Sequence, residues 1–323
     1  MILNNPIDMH LHIRQGDMLK KVLPETTKQF AGAVIMPNTI PPITTLDGVL
    51  NYKKEILETA DENEFTPLMD VFLQDFTEEQ IKELKPHIFG MKFYPDGITT
   101  NSDSGINSIE DIYPTLELLA KYNIPLSIHG ETNGSMLERE REFASTYEKL
   151  ARDLPELTII MEHISTKELA ELATKYDNLK ATVTLHHLLL TLDDLCGGSL
   201  NVHYFCKPTV KLASDRDALQ KLVKSGHKNV MFGSDSAPHP LKNKFKGAAG
   251  IFSAPVILPA LAEFFEGDEK ALQTFISDNA VNNFNLKVID KKVELIEEEW
   301  VAPRMVGEVV PMFAGKRFSY KVK

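Results

Sequence analysis

The sequence predicts an α/β chain folded as a (β/α)8 TIM barrel with a short C-terminal appendage. Eight short apolar runs alternate with eight amphipathic helical stretches, the βαβα pattern that builds a parallel sheet. The 323 residues exceed the ~250 typical of such a barrel by about a tail and some insertions. No Gly-x-Gly-x-x-Gly follows the first run, so the doubly wound sheet, the main alternative, lacks its dinucleotide-binding signature.

In chain order the apolar runs occupy 7–13, 33–36, 67–73, 88–94, 125–129, 158–163, 181–185 and 230–233. The helical stretches occupy 18–30, 46–60, 77–84, 109–122, 136–151, 166–176, 215–224 and 254–265. No linker or low-complexity segment breaks the chain before about residue 285, so residues 1–286 read as one barrel. Residues 287–323 read as an appendage: a charged helix-like stretch at 294–299, then short alternating strands at 306–310 and 318–322.

Composition narrows the partners. Hydrophobic residues make up 43% and charged residues 25%, ordinary for a chain with an ample core. A net charge of -11 argues against nucleic acid or an acidic membrane as partner, without forbidding a small anion at a local cationic site. The cysteines, Cys196 and Cys206, are too few for a disulfide framework and suggest a reducing compartment. With no leader pattern and no apolar run of about 18 residues, the expected location is the cytoplasm.

The chemistry starts in the first run. Alternation in Ile7-Asp8-Met9-His10-Leu11-His12-Ile13 sends His10 and His12 to one face, about 7 Å apart along a strand, near enough to grip one ion. Arg14 follows at the strand end. Barrel enzymes carry their chemistry at the C-terminal ends of strands. Lys92 lies in the fourth run, His129 and His163 end the fifth and sixth, and Asp235 follows the eighth. Singly, each has an ordinary reading as a hydrogen-bonded core residue or helix cap. Together at one end of a barrel, four imidazoles and a carboxylate suit zinc and metal-assisted hydrolysis. Lys92 is costly inside an apolar strand unless paired or neutral. Two readings stand: an ion pair with an acid, or a neutral amine that takes up carbon dioxide to become an anionic carbamate.

These ligand positions resemble the metal centre of the amidohydrolase superfamily. Further motifs resemble the short bacterial dihydroorotases within it: Met36-Pro37-Asn38-Thr39, Lys92-Phe93-Tyr94-Pro95, Thr99-Thr100-Asn101-Ser102, Gly233-Ser234-Asp235-Ser236-Ala237-Pro238-His239, and Val309-Val310-Pro311-Met312-Phe313-Ala314-Gly315. The resemblance implies two zinc ions, one held by His10, His12 and Asp235, the other by His129 and His163, with N6-carboxylated Lys92 and a hydroxide bridging them. It implies reversible cyclisation of N-carbamoyl-L-aspartate to L-dihydroorotate and water in pyrimidine (UMP) synthesis, with Asp235 as the proton carrier. It assigns the substrate carboxylate to Arg14, Asn38 and His239, the ring amide to main-chain groups of Lys207 and Ala249, and a closing loop to Thr99 and Thr100. Relatives carry an apolar side chain where this chain has Lys207. A homodimer is the family expectation.

The other readings are a hydantoinase or allantoinase, a single-metal deaminase, whose pattern His129-Gly130-Glu131 resembles, and a non-catalytic barrel subunit. Arg14, Asn38 and His239 favour a carboxylate-bearing ring; a deaminase has no need of Lys92; a scaffold would have lost ligands. His87, His186, His187, His203 and His227 are read as structural, and both cysteines as ordinary small groups.

Overall fold

The computed structural model describes residues 1–95 and 109–323. Among these residues the strands are β1 (Ile2–Asn4), β2 (Ile7–Leu11), β3 (Gly32–Ile35), β4 (Thr66–Phe72), β5 (Gly90–Phe93), β6 (Leu126–Ile128), β7 (Ile159–Met161), β8 (Leu179–Val183), β9 (Val230–Phe232), β10 (Lys292–Val301) and β11 (Arg317–Val322). Strands β2 to β9 form one eight-stranded sheet in strict sequence order, each parallel to the next. Just beyond β9 the sheet turns back on β2: Leu11 bridges Ser236 in parallel, Asp235 N donates to His10 O at 2.8 Å, and His12 N donates to Ser236 O at 3.2 Å. The eight predicted runs are the barrel.

Strands β2, β3 and β5 are buried at every residue because helices cover the outer face and the opposite strands cover the inner one. That is why they read as nearly continuous apolar runs. The intervening helices are Gly16–Thr27, Leu46–Leu57, Glu78–Leu84, Tyr113–Tyr122, Arg139–Asp153, Lys167–Leu172, Ala213–Lys224 and Ile257–Phe264. Their entry points are locally encoded. Thr45 accepts from Gly48 N, and Thr77 forms a reciprocal capping box with Gln80. Among the described residues no helix is long and apolar enough to cross a membrane.

The appendage departs from expectation. The stretch 294–299 lies inside β10 and is a strand, not a helix. Strand β10 pairs antiparallel with β11 on one side and with β1, from the other end of the chain, on the other. Val293 and Leu295 are buried while the glutamates face solvent, so the stretch lies on the surface through sheet pairing rather than a helical apolar stripe. The alternating run at 318–322 falls in β11, whereas 306–310 holds only an isolated Val306–Val309 bridge.

Candidate metal centre and active site

His10 ends β2 with Leu11, and His12 follows it; Lys92 lies in β5; His129, His163 and Asp235 stand one, two and three residues beyond β6, β7 and β9. All six are buried. Their ligand atoms converge. His10 Nε2 and His12 Nε2 are 3.3 Å apart, and lie 3.6 and 3.1 Å from Asp235 Oδ1. His129 Nδ1 and His163 Nε2 are 3.1 Å apart.

The opposite nitrogen of three of these rings is engaged from behind. Glu162 Oε2 sits 2.8 Å from His10 Nδ1, Asn38 Oδ1 2.8 Å from His12 Nδ1, and Glu131 Oε2 2.7 Å from His129 Nε2. At His12 and His129 the amide or carboxylate oxygen takes the ring N–H, fixing the tautomer with a lone pair on the inner nitrogen, while the Glu162 carboxylate stands beside His10 at ion-pair distance. Lone pairs that face one another at about 3 Å repel unless a shared proton or cation lies between them. The donor set therefore fits divalent metal.

Backbone geometry serves the same end. His163 has φ 41°, Asp235 φ 44° and Arg14 φ 61°, left-handed conformations that side-chain-bearing residues seldom adopt. Bonds to the neighbouring strands hold two of them: His163 N donates to Thr182 Oγ1 at 2.6 Å, and Asp235 N to His10 O. Gly130, after His129, lets the helix Arg139–Asp153 approach, since a Cβ there would lie 2.4 Å from the Tyr147 hydroxyl oxygen. That hydroxyl donates to Ile128 O and braces the strand end.

Lys92 is fully buried, and its Nζ has no hydrogen-bond partner among the described residues. Burial lowers its pKa, opposed only in part by Glu162, Asp70 and Asp235. The ion-pair alternative for this lysine is therefore not what the geometry displays. Burial also draws His12 down to about 4, against the pull of Asp235, and lowers His129 and His163. These imidazoles are neutral near pH 7, as metal ligands must be. Burial would raise Asp235, but the His12 bond, and in acid the charge that the neighbouring imidazoles of His10 and His12 take up, outweigh it and hold the carboxyl below the usual range.

The cleft above these groups is lined by Arg14, Asn38, Lys207 and Ala249 together with Tyr94, Ala237 and Gly250. Arg14 Nε donates to Pro238 O at 3.1 Å, and its Nη2 lies 3.1 Å from His239 Nε2. His239 Nε2 is in turn 2.9 Å from Ala249 O, and burial with the nearby Arg14 charge lowers this histidine to about 3. Thus Arg14, Asn38, Lys207, His239 and Ala249 meet at one mouth. Thr99 and Thr100 lie outside the described residues.

Sequence reading missed Glu131 and Glu162 as partners of ligands. The signal existed: each is a carboxylate in or beside an apolar strand, within two residues of a ligand histidine or directly before one. Lys211 was also missed; its Nζ donates to Ser165 Oγ at 3.0 Å and Thr209 O at 2.9 Å, and lies 3.5 Å from Glu140 Oε2, bracing the segment after His163. His186, His187 and Cys206 come together, with ligand atoms within 4.8 Å of one another. His187 is held by Thr184 Oγ1 at 2.9 Å and Pro208 O at 3.0 Å, and Cys206 donates to the same carbonyl at 3.1 Å, which accords with the structural reading of these two residues.

Comparison with known proteins gives a consistent answer. The amidohydrolase family model matches residues 6–292. The dihydroorotase of Helicobacter hepaticus is 43% identical over 336 residues, 99% of this chain and 97% of that protein. The crystal structure of dihydroorotase from Campylobacter jejuni superposes with a TM-score of 0.96 at 49% identity, covering 100% of this chain and 97% of that one. Dihydroorotase from Saccharomyces cerevisiae, solved with 5-fluoroorotic acid, gives 0.92 at 36% identity, covering 100% and 98%.

Proposed function

The chain belongs to the amidohydrolase family and, within it, to the dihydroorotases, and on that footing we propose how its own residues carry the reaction. It is a cyclic amide hydrolase that interconverts N-carbamoyl-L-aspartate and L-dihydroorotate in pyrimidine biosynthesis. The observation that carries the site reading is the convergence of four buried imidazoles, a buried carboxylate, and a buried lysine amine without a hydrogen-bond partner among the described residues. His10, His12 and Asp235 would hold one zinc ion, and His129 and His163 a second. Lys92, as an N6-carboxylysine, would bridge the two. Bound there, the two cations would polarise the ring carbonyl and bring a water's pKa down to about 7.

The residues do the rest. Arg14 grips the substrate carboxylate, with Asn38 and His239 beside it, and main-chain groups of Lys207 and Ala249 orient the ring amide. In ring opening Asp235 takes the proton of the attacking water and passes it to the departing amide nitrogen. In cyclisation Asp235 begins protonated and the same transfers run backwards. A carboxylate held ionised at rest suits the first role. The Arg14–His239 pair at the mouth favours a carboxylate-bearing ring over the uncharged rings of hydantoinase-type substrates. We place the enzyme in the cytoplasm, on its acidic charge and two cysteines, and expect a homodimer as the family resemblance implies.

The test is elemental analysis with a two-way assay. Purified without chelator, the protein should carry close to two divalent ions per chain, turning over L-dihydroorotate in one direction and N-carbamoyl-L-aspartate in the other. Full activity at one ion per chain would overturn the binuclear reading; a fully loaded protein inactive on both would overturn the function.

A further inference from the structure

Lys244 is buried, 4% exposed, and no carboxylate among the described residues acts on its charge. Its Nζ donates instead to three main-chain carbonyls: Phe205 O at 3.0 Å, Ala248 O at 2.9 Å and Gly250 O at 2.6 Å. Burying an ammonium carries a cost, seen in the fall of its pKa to about 8. An apolar residue of similar volume would avoid that cost but leave these carbonyls without their donor, so the ammonium is what holds the three together.

The carbonyls held are those that frame the cleft. Ala248 and Gly250 flank Ala249, and Phe205 lies two residues before Lys207; both Ala249 and Lys207 line the cleft, whereas Lys244 stands behind it. Gly250 N also donates to Phe205 O at 2.9 Å, tying the two segments together. In a trans peptide the carbonyl of one residue and the N–H of the next point in opposite directions. Holding Ala248 O therefore turns the Ala249 N–H away from Lys244, and that N–H has no backbone acceptor among the described residues. The Ala249 carbonyl is engaged separately, by His239. Gly250, at φ +144°, closes the loop where a Cβ would lie 2.8 Å from Ala237 O.

We infer that Lys244 is a positioning residue: its ammonium clamps the 205–208 and 248–250 segments together and aims the Ala249 amide at the ring-amide end of the substrate. The inference rests on the dihydroorotase reading above and adds to it the group that presets its main-chain subsite. Lys244 touches neither substrate nor metal ligands, so its effect falls on binding.

The test is steady-state kinetics of Lys244→Met in both directions, with metal content and melting temperature measured on the same samples. The expected result is full metal loading, kcat within about threefold of wild type, and KM for both substrates raised roughly 10-fold, the worth of about one hydrogen bond. Lys244→Gln, which keeps two N–H donors, should fall between. A merely structural lysine would lower the melting temperature and leave KM alone; KM within twofold of wild type, or a loss confined to kcat, overturns the inference. If neither variant folds, hydrogen exchange of the wild-type Ala249 amide decides. Slowing in an equilibrium mixture of the two substrates supports the inference, and unchanged exchange overturns it. A wild-type chain that turns over neither substrate overturns the function and this inference with it, whereas an active wild type with unaltered variants overturns this inference alone.

Discussion

Asn38 Oδ1 accepts a hydrogen bond from His12 Nδ1 at 2.8 Å, with both side chains buried. Sequence reading placed Asn38 on the substrate carboxylate; the fold also sets it behind a ligand, where it fixes the His12 tautomer. Asn38→Ala should weaken metal retention by about 10–100-fold, as loss of such an orienting partner commonly does. Dialysis against graded chelator followed by elemental analysis measures it. Wild-type retention combined with a raised KM would confine Asn38 to substrate binding.

Lys92 Nζ has no hydrogen-bond partner among the described residues, which supports the proposed carbamate bridge. Lys92→Ala should lose nearly all activity and most of one metal equivalent, while short carboxylic acids in excess restore a small part by standing in for the bridge. Because the side chain is fully buried, the comparison needs a folded sample, checked by circular dichroism. Undiminished activity in Lys92→Ala would remove this residue from the centre.

Asp235 is held below the usual carboxylate range, so it is ionised at neutral pH and ready to accept a proton. Hydrolysis needs that ionised form and should rise with pH through an apparent group; cyclisation needs the protonated form and should fall through the same group. The apparent value belongs to the coupled centre rather than to one residue. Profiles of both directions in one buffer series check this, and parallel profiles would contradict the assignment.

Asp8 carries a stability prediction. Burial pushes its carboxyl from an ordinary 3.8 up to about 6, against bonds from Ser234 and His10 N–H groups. Between those values the folded chain keeps a proton that the unfolded chain has released. Stability from this group is therefore complete below about pH 4 and lost as pH rises through about 6. Asp8→Asn mimics the protonated form and removes that slope. Relative to wild type, the metal-free variant should gain up to roughly 3 kcal/mol between pH 4 and pH 7. Urea unfolding at the two pH values tests it, and a difference that does not change with pH would refute it.

The proposed ligand set could be picked out without a fold because its signals are local. His10 and His12 announce themselves by alternation inside one strand, and Lys92 by being a cation in an apolar run. His129, His163 and Asp235 each stand at a strand end, and strand ends can be located from apolar runs a few residues long. The barrel was readable for the same reason: parallel strands buried on both faces leave continuous apolar runs whatever the rest of the chain does.

The charged stretch at 294–299 was misread because a strand exposed on one face, with glutamates along it, has no local pattern that separates it from a charged helix. Its partners decide it, and one of them, β1, comes from the opposite end of the chain.

By itself, then, the sequence determined the barrel and singled out the side chains proposed to hold metal, since both depend on periodicity within single elements. Tertiary structure alone decided what stands behind them: Glu162 on His10, Glu131 and Asn38 on the other rings, Arg14 beside His239, and Lys244 beneath Ala249. Most of those pairs join residues from different strand ends. Which side chains meet there is set by the register in which β2 closes on the segment after β9 and by the left-handed turns at Arg14, His163 and Asp235. Neither quantity is encoded in a local pattern; both are fixed when the whole sheet shuts and each buried polar group must find a partner.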